Sequence, residues 1–141
     1  GPMMSPAIFH ELYFPLYQEI ASYIHARGMH FFIHSCGDNT LLMDDIIASG
    51  VDVLHPIQKG CMDMEETAQR FGGKISFCAG MDVQQILIHG TPDEVRAEIA
   101  RMRRIFNRPE GGLLFAMGNG ILPGTPLENI TAALDEMYAE V

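Results

Sequence analysis

Four short apolar runs, each followed by an amphipathic stretch with its own start and stop signals, constrain this chain more than any other feature. The runs fall at residues 29–34, 51–54, 74–79 and 112–117, and Phe31-Phe32-Ile33 and Leu113-Leu114-Phe115 have no clean polar side. A strand of that kind is covered on both faces, which is the state of a strand in a parallel sheet joined by helical crossovers. The intervening segments read as those crossovers. Ser5-Pro6 opens a first helix whose apolar face is Ile8, Leu12, Leu16, Ile20 and Ile24, kinked at Pro15 and ended by Gly28. Asn39 and Thr40 cap a second helix, carrying Leu42, Ile46 and Ile47. Asp63 with Glu66 begins a third, and a short helix lies near residues 84–88. Thr91-Pro92-Asp93-Glu94 starts a longer one with Val95, Ile99, Met102 and Phe106 inward, and Thr125-Pro126-Leu127-Glu128 starts the last.

The order is helix, then strand–helix four times. That predicts an α/β fold: a small open sheet, or half of a (β/α)8 TIM barrel, since a full barrel needs about 250 residues. Gly1-Pro2 before Met3 has the look of a protease scar, leaving residues 3–141 as a single α/β half-barrel domain. With 48% hydrophobic residues, the chain has enough apolar surface for a core without staples. Nine basic against eighteen acidic residues give a net charge of −9, which argues against a nucleic-acid partner or an anionic membrane surface. Three cysteines in no dense framework, and no secretory leader, suit a reducing cytoplasm.

Sites in parallel α/β folds form beyond the carboxyl ends of the strands. There the sequence places His34, Cys36 and Asp38, then His55, then Cys78 and Asp82, then Gly118-Asn119-Gly120. His34 and Cys36, two positions apart, project from one face of a strand end, and imidazole with thiolate suits zinc. By itself a His-x-Cys is common, and a Cys is often only a small buried hydrophobe. A third ligand has to come from another strand or its loop: Asp82, Cys78, His55 or Cys61. Gly118 and Gly120 allow close backbone approach to a ligand or form a tight turn; no P-loop Lys or Ser/Thr follows them.

These segments resemble one family. His34-Ser35-Cys36-Gly37-Asp38 is similar to the H-x-C-G segment of the uroporphyrinogen-decarboxylase superfamily, in its cobalamin-dependent methyltransferase branch. Ser5-Pro6-x-x-Phe9 with Pro15, Gly80-x-Asp82, and Gly118-Asn119-Gly120-Ile121 before Pro123-x-Thr125-Pro126-x-Glu128-Asn129 extend the likeness across almost the whole chain, in order. The resemblance implies the carboxyl-terminal half of a (β/α)8 barrel, without its first four units. It implies zinc on His34 and Cys36, with Asp82 as third ligand or as a carboxylate orienting His34. The family's second Cys falls at Asn119, which becomes a substrate-contacting amide, and Gly118 and Gly120 line the cofactor side. In the intact enzyme a methyl group passes to or from a corrinoid on a partner protein, with a small-molecule methyl donor or acceptor. Half a barrel is expected to be inactive alone. Its exposed strand edges call for a homodimer, or for the missing amino-terminal half. The alternatives are a decarboxylase of tetrapyrrole carboxylates and a non-catalytic oligomerising fragment.

Overall fold

The structure, a computed structural model, describes residues 2–139, so Gly1 of the expected scar lies outside it. Four parallel strands lie side by side in chain order: β1 (Phe32–His34), β2 (Val53–His55), β3 (Ser76–Met81) and β4 (Leu113–Met117). Helices α1 (Pro6–Ile8) and α2 (Phe14–His25) precede β1. Helix α3 (Met43–Ala48) follows β1 and α4 (Met64–Phe71) follows β2; α5 (Ile86–His89) and α6 (Pro92–Phe106) follow β3, and α7 (Leu127–Tyr138) follows β4. The expected α/β alternation is present, with all four strands parallel.

The pleat sorts the strand residues into two layers. Ile33, Leu54 and Phe77 pair in register, and Phe77 meets Phe106 of α6 with ring centroids 5.1 Å apart, so this face packs on helices. Leu54 is fully buried, and burial of a side chain of this size contributes about 1.5–3 kcal/mol. The opposite face carries Phe32, Val53 and Ser76 in one row and His34 with His55 in the next. Phe32 and Leu114 remain 48% and 46% exposed on it. That is the face a closed barrel turns inward.

Helix α6 follows its sequence signals. Thr91 and Glu94 form a reciprocal capping box, and Val95, Ile99, Met102 and Phe106 are all buried. The first helix departs from its pattern. Pro15 has no N–H to give and its ring crowds the carbonyl one turn back, so the chain widens into a π-helical turn over Phe9–Tyr13, with the Phe14 N–H donating to the Phe9 carbonyl. The expected kink takes this form. The face turned to the core becomes Phe9 and Ala21, both buried, with the half-buried Tyr17 edge-on to Phe9 and to Phe31. The stripe of Ile8, Leu12, Leu16 and Ile20 is left exposed.

Two expected caps are also replaced. Asn39 does not cap α3, which begins later; its side chain folds back to the Ser35 carbonyl at 2.8 Å and is buried in the loop after β1. Thr125 does not cap α7; its hydroxyl donates backwards to the Leu122 carbonyl, and Pro126 stands at the cap. In both cases a nearby carbonyl outcompetes the helix for a small polar side chain.

Candidate functional site

The loops at the carboxyl ends of β1, β2 and β4 converge on one cluster. His34, the last residue of β1, and Cys36 two residues on bring Nε2 and Sγ to 3.2 Å. Cys36 Sγ lies 3.3 Å from Asn119 Oδ1, delivered by the loop after β4. On the other side of the His34 ring, His34 Nδ1 is 2.8 Å from His55 Nδ1, at the paired position of β2. His34, Cys36 and Asn119 are exposed, whereas His55 is half-buried.

The turn that presents Cys36 is held by side chains rather than by a ladder. Asn39 bonds the Ser35 carbonyl and accepts from the Ser35 hydroxyl at 2.9 Å. Gln58, from the loop after β2, accepts the Gly37 N–H at 2.8 Å. The Thr40 side chain and backbone hold the Asp38 carboxyl below its ordinary range, and Asp38 accepts the Thr40 N–H at 2.9 Å. Asn39 and Gln58 are the positioning residues that sequence reasoning missed. Side-chain bonds across loops leave no periodicity to read.

Asp82 stands at the end of β3 and caps the turn that follows, accepting from the Gln84 and Gln85 amides at 3.0 Å. The slot beside His34 that an orienting carboxylate could take is filled by His55. Gly80 and Gly118 let β3 and β4 close up, since a Cβ at Gly80 would lie 2.9 Å from the Gly118 Cα. Gly120 has open space where a Cβ would stand. Cys78 is buried within β3 and burial pushes its thiol up, which makes it inert; Cys61 is exposed in the loop before α4. A small cavity of about 40 Å³ adjoins the cluster, lined by Gln58, Lys59, Asp82 and Asn119. A larger hollow of about 470 Å³ lies at the amino ends of the strands, against Ser76, Arg108 and Gly112.

Burial, then the charge of His34, holds the His55 imidazole below its ordinary range, with the Met117 backbone pulling the other way. The site thus joins a soft thiol, an exposed imidazole and an amide oxygen. Zinc held by nitrogen and sulfur at about 2.0–2.3 Å sets its ligand atoms roughly 3.3–3.7 Å apart in a tetrahedron. The Nε2–Sγ and Sγ–Oδ1 separations, 3.2 and 3.3 Å, are close to that spacing. Among the described residues no three His, Cys, Asp or Glu side chains gather as a metal site. The chain therefore offers two strong donors with an amide beside them.

A family model described as uroporphyrinogen decarboxylase (URO-D) matches residues 1–139. Among curated proteins, the chain is 28% identical to "Methylcobamide:CoM methyltransferase MtaA" of Methanosarcina barkeri, over 97% of this chain and 39% of that protein. It is 24% identical to a "Uroporphyrinogen decarboxylase" of Xanthomonas oryzae pv. oryzae, over 92% of this chain and 38% of that one. Among solved structures it is similar to a methyltransferase from Methanosarcina mazei, with a TM-score of 0.73 and 25% identity, covering 95% of this chain and 37% of that one. The chain thus spans about two fifths of the length of these relatives, and its four strands and their helices match part of a TIM barrel.

Proposed function

Because the chain belongs to the uroporphyrinogen decarboxylase (URO-D) family, we propose that it is the carboxyl-terminal half-barrel of a zinc-dependent, corrinoid-linked methyltransferase. The observation that carries this reading is the 3.2 Å approach of His34 Nε2 and Cys36 Sγ on one strand end. Zinc bound there would act as a Lewis acid, lowering the pKa of a substrate thiol or polarising a methyl-bearing oxygen. His34 and Cys36 supply its two strong donors. Asn119 contributes its amide oxygen to the ion or to a substrate beside Cys36. Asp82 keeps the loop after β3 in place, at the cavity bordering Asn119. Gly118 and Gly120 give a substrate or corrinoid room to approach the backbone.

The His34–Cys36 donor pair favours methyl transfer over decarboxylation of a tetrapyrrole carboxylate. Among the described residues, the loops after the four strands hold one cationic side chain, Lys59, and it is already paired with Glu98 at 2.8 Å. Recognition of several carboxylates calls for arginines, which bind them through paired donors, so these loops would not hold such a substrate by themselves. The three unpaired cysteines suit the reducing cytoplasm where such an enzyme would work. A corrinoid protein and the remaining barrel units would be its partners, and the half-barrel alone would not turn over.

Elemental analysis tests the reading. After zinc loading and dialysis, the chain should retain up to one zinc, lost in His34→Ala and in Cys36→Ala. A wild-type chain that holds no zinc, or metal-free decarboxylation of a tetrapyrrole carboxylate, overturns it.

A further inference from the structure

The amino ends of the strands, opposite the His34–Cys36 cluster, carry a charge arrangement of their own. The chain has a net charge of −9, and among the described residues five of its nine Lys and Arg side chains pair with carboxylates. Lys74 and Arg108 are not among the five. Both line the hollow of about 470 Å³ beside Ser76, the first residue of β3, and Gly112, just before β4.

The Arg108 guanidinium is held in place before any ligand arrives. Its Nη2 donates to the carbonyl of Ala68 in α4 at 2.9 Å, and the side chain lies against Gly72. Gly72 has a φ of −58° and a ψ of 137°, which any residue adopts, so the backbone does not require glycine there. A Cβ at Gly72 would overlap Nε and Nη2 of Arg108. Room for the guanidinium is therefore what glycine supplies. The bond to Ala68 uses one of five N–H donors, and the others keep the planar fork that suits a carboxylate or a phosphate.

Lys74 is exposed on the turn that follows Gly72, and Ser76 adds a hydroxyl to the same wall. Two carboxylates also line the hollow. Asp52 is engaged by the Phe31 N–H and by His25, and Glu110 is exposed to solvent, where salt and water screen its charge. Val53 and the half-exposed Leu114 give the hollow an apolar side, and its volume is that of a small-molecule pocket.

We propose that this hollow binds a small organic oxyanion, a carboxylate or phosphate monoester on an apolar body. Its charged group sits on Arg108 and Lys74, and its body lies against Val53 and Leu114. The hollow and the His34–Cys36 cluster lie at opposite ends of the sheet, so the inference does not depend on a metal there.

Titration of the full chain with phenyl phosphate and with benzoate, followed by backbone amide NMR shifts, tests it. At least one probe should give saturable shifts centred on residues 72–76 and 111–114, and should bind more weakly as salt is raised. The tighter probe identifies the group recognised, phosphoryl or carboxylate. Arg108→Gln should lower the affinity about tenfold or more. Lys74→Gln, at an exposed position that spares the fold, should lower it several-fold. Gly72→Ala should weaken binding by displacing the guanidinium without removing its charge. The proposal is overturned if neither probe binds saturably up to about 10 mM. It is equally overturned by shifts centred on the His34–Cys36 end, or by an affinity that Lys74→Gln and Arg108→Gln both leave unchanged.

Discussion

Cys36 Sγ and Asn119 Oδ1 lie 3.3 Å apart, although they follow the two outermost strands of the sheet. The sheet curls far enough for the loops after β1 and β4 to meet across β2 and β3. Two residues 83 positions apart in the chain thereby become one site.

That contact makes Asn119 the position that tunes the site. An amide oxygen is a weak zinc donor beside a thiolate. Asn119→Cys would add a second thiolate at ligand spacing and should tighten zinc binding by about one to two orders of magnitude. Asn119→Leu should weaken it. Competition against a chelator measures both, and equal affinities for all three chains would place the metal away from Asn119.

Asp52 ties β2 to the segment entering β1. Its carboxylate accepts the Phe31 N–H at 2.6 Å and contacts His25 Nε2 at 2.7 Å. Burial pushes this carboxyl up, but the Phe31 amide, His25 and His30 outweigh it and hold it below its ordinary range. A carboxyl lowered on folding stabilises the fold above its unfolded pKa of about 3.9, and that contribution disappears as pH falls through the folded value. Asp52→Ala should cost about 1–3 kcal/mol at neutral pH, because the Phe31 amide loses its partner. The gap between variant and wild type should narrow at about pH 3. Urea midpoints at the two pH values check it; a gap that widens on acidification contradicts the assignment.

The α/β order, the strand ends and the His34–Cys36 pair were legible because each rests on local chemistry: apolar runs, capping signals, and the two-residue period of a strand. The buried face of the first helix was not. Ile8, Leu12, Leu16 and Ile20 share the correct spacing, yet the wide turn that accommodates Pro15 gives the core to Phe9 and Ala21, with Tyr17 half-buried beside them. Asn39 and Thr125 misled for a related reason, since a small polar side chain next to a helix start can bond a carbonyl behind it instead. His55 was visible as one strand-end imidazole among several candidates. Its contact with His34 depends on the register between β1 and β2, which no single strand encodes.

Asn129 illustrates how a motif residue can be structural. It is almost fully buried in α7, and its amide donates to the Leu87 and Gly90 carbonyls at 2.9 and 2.7 Å, pinning α7 to the end of α5. Asn129→Ala should destabilise the chain by about 1–3 kcal/mol by leaving those carbonyls unpaired. Zinc affinity should stay unchanged. Chemical denaturation with parallel zinc titration separates the two effects.

The exposed stripe of Ile8, Leu12, Leu16 and Ile20, with Phe32 and Leu114 on the open sheet face, suits association with a second copy. Sedimentation equilibrium at tens of micromolar should give twice the 15.6 kDa chain mass. Leu12→Glu combined with Leu16→Glu should return a monomer. A wild-type chain that sediments at 15.6 kDa contradicts self-association.

Titration with cobalt(II), a spectroscopic stand-in for zinc, tests the His34–Cys36 centre most directly. Binding should saturate at one cobalt per chain, with a thiolate-to-metal charge-transfer band that vanishes in Cys36→Ser and a ligand field altered in His34→Ala. Cobalt binding without that band, or a band that survives Cys36→Ser, would contradict a metal centre on these two residues.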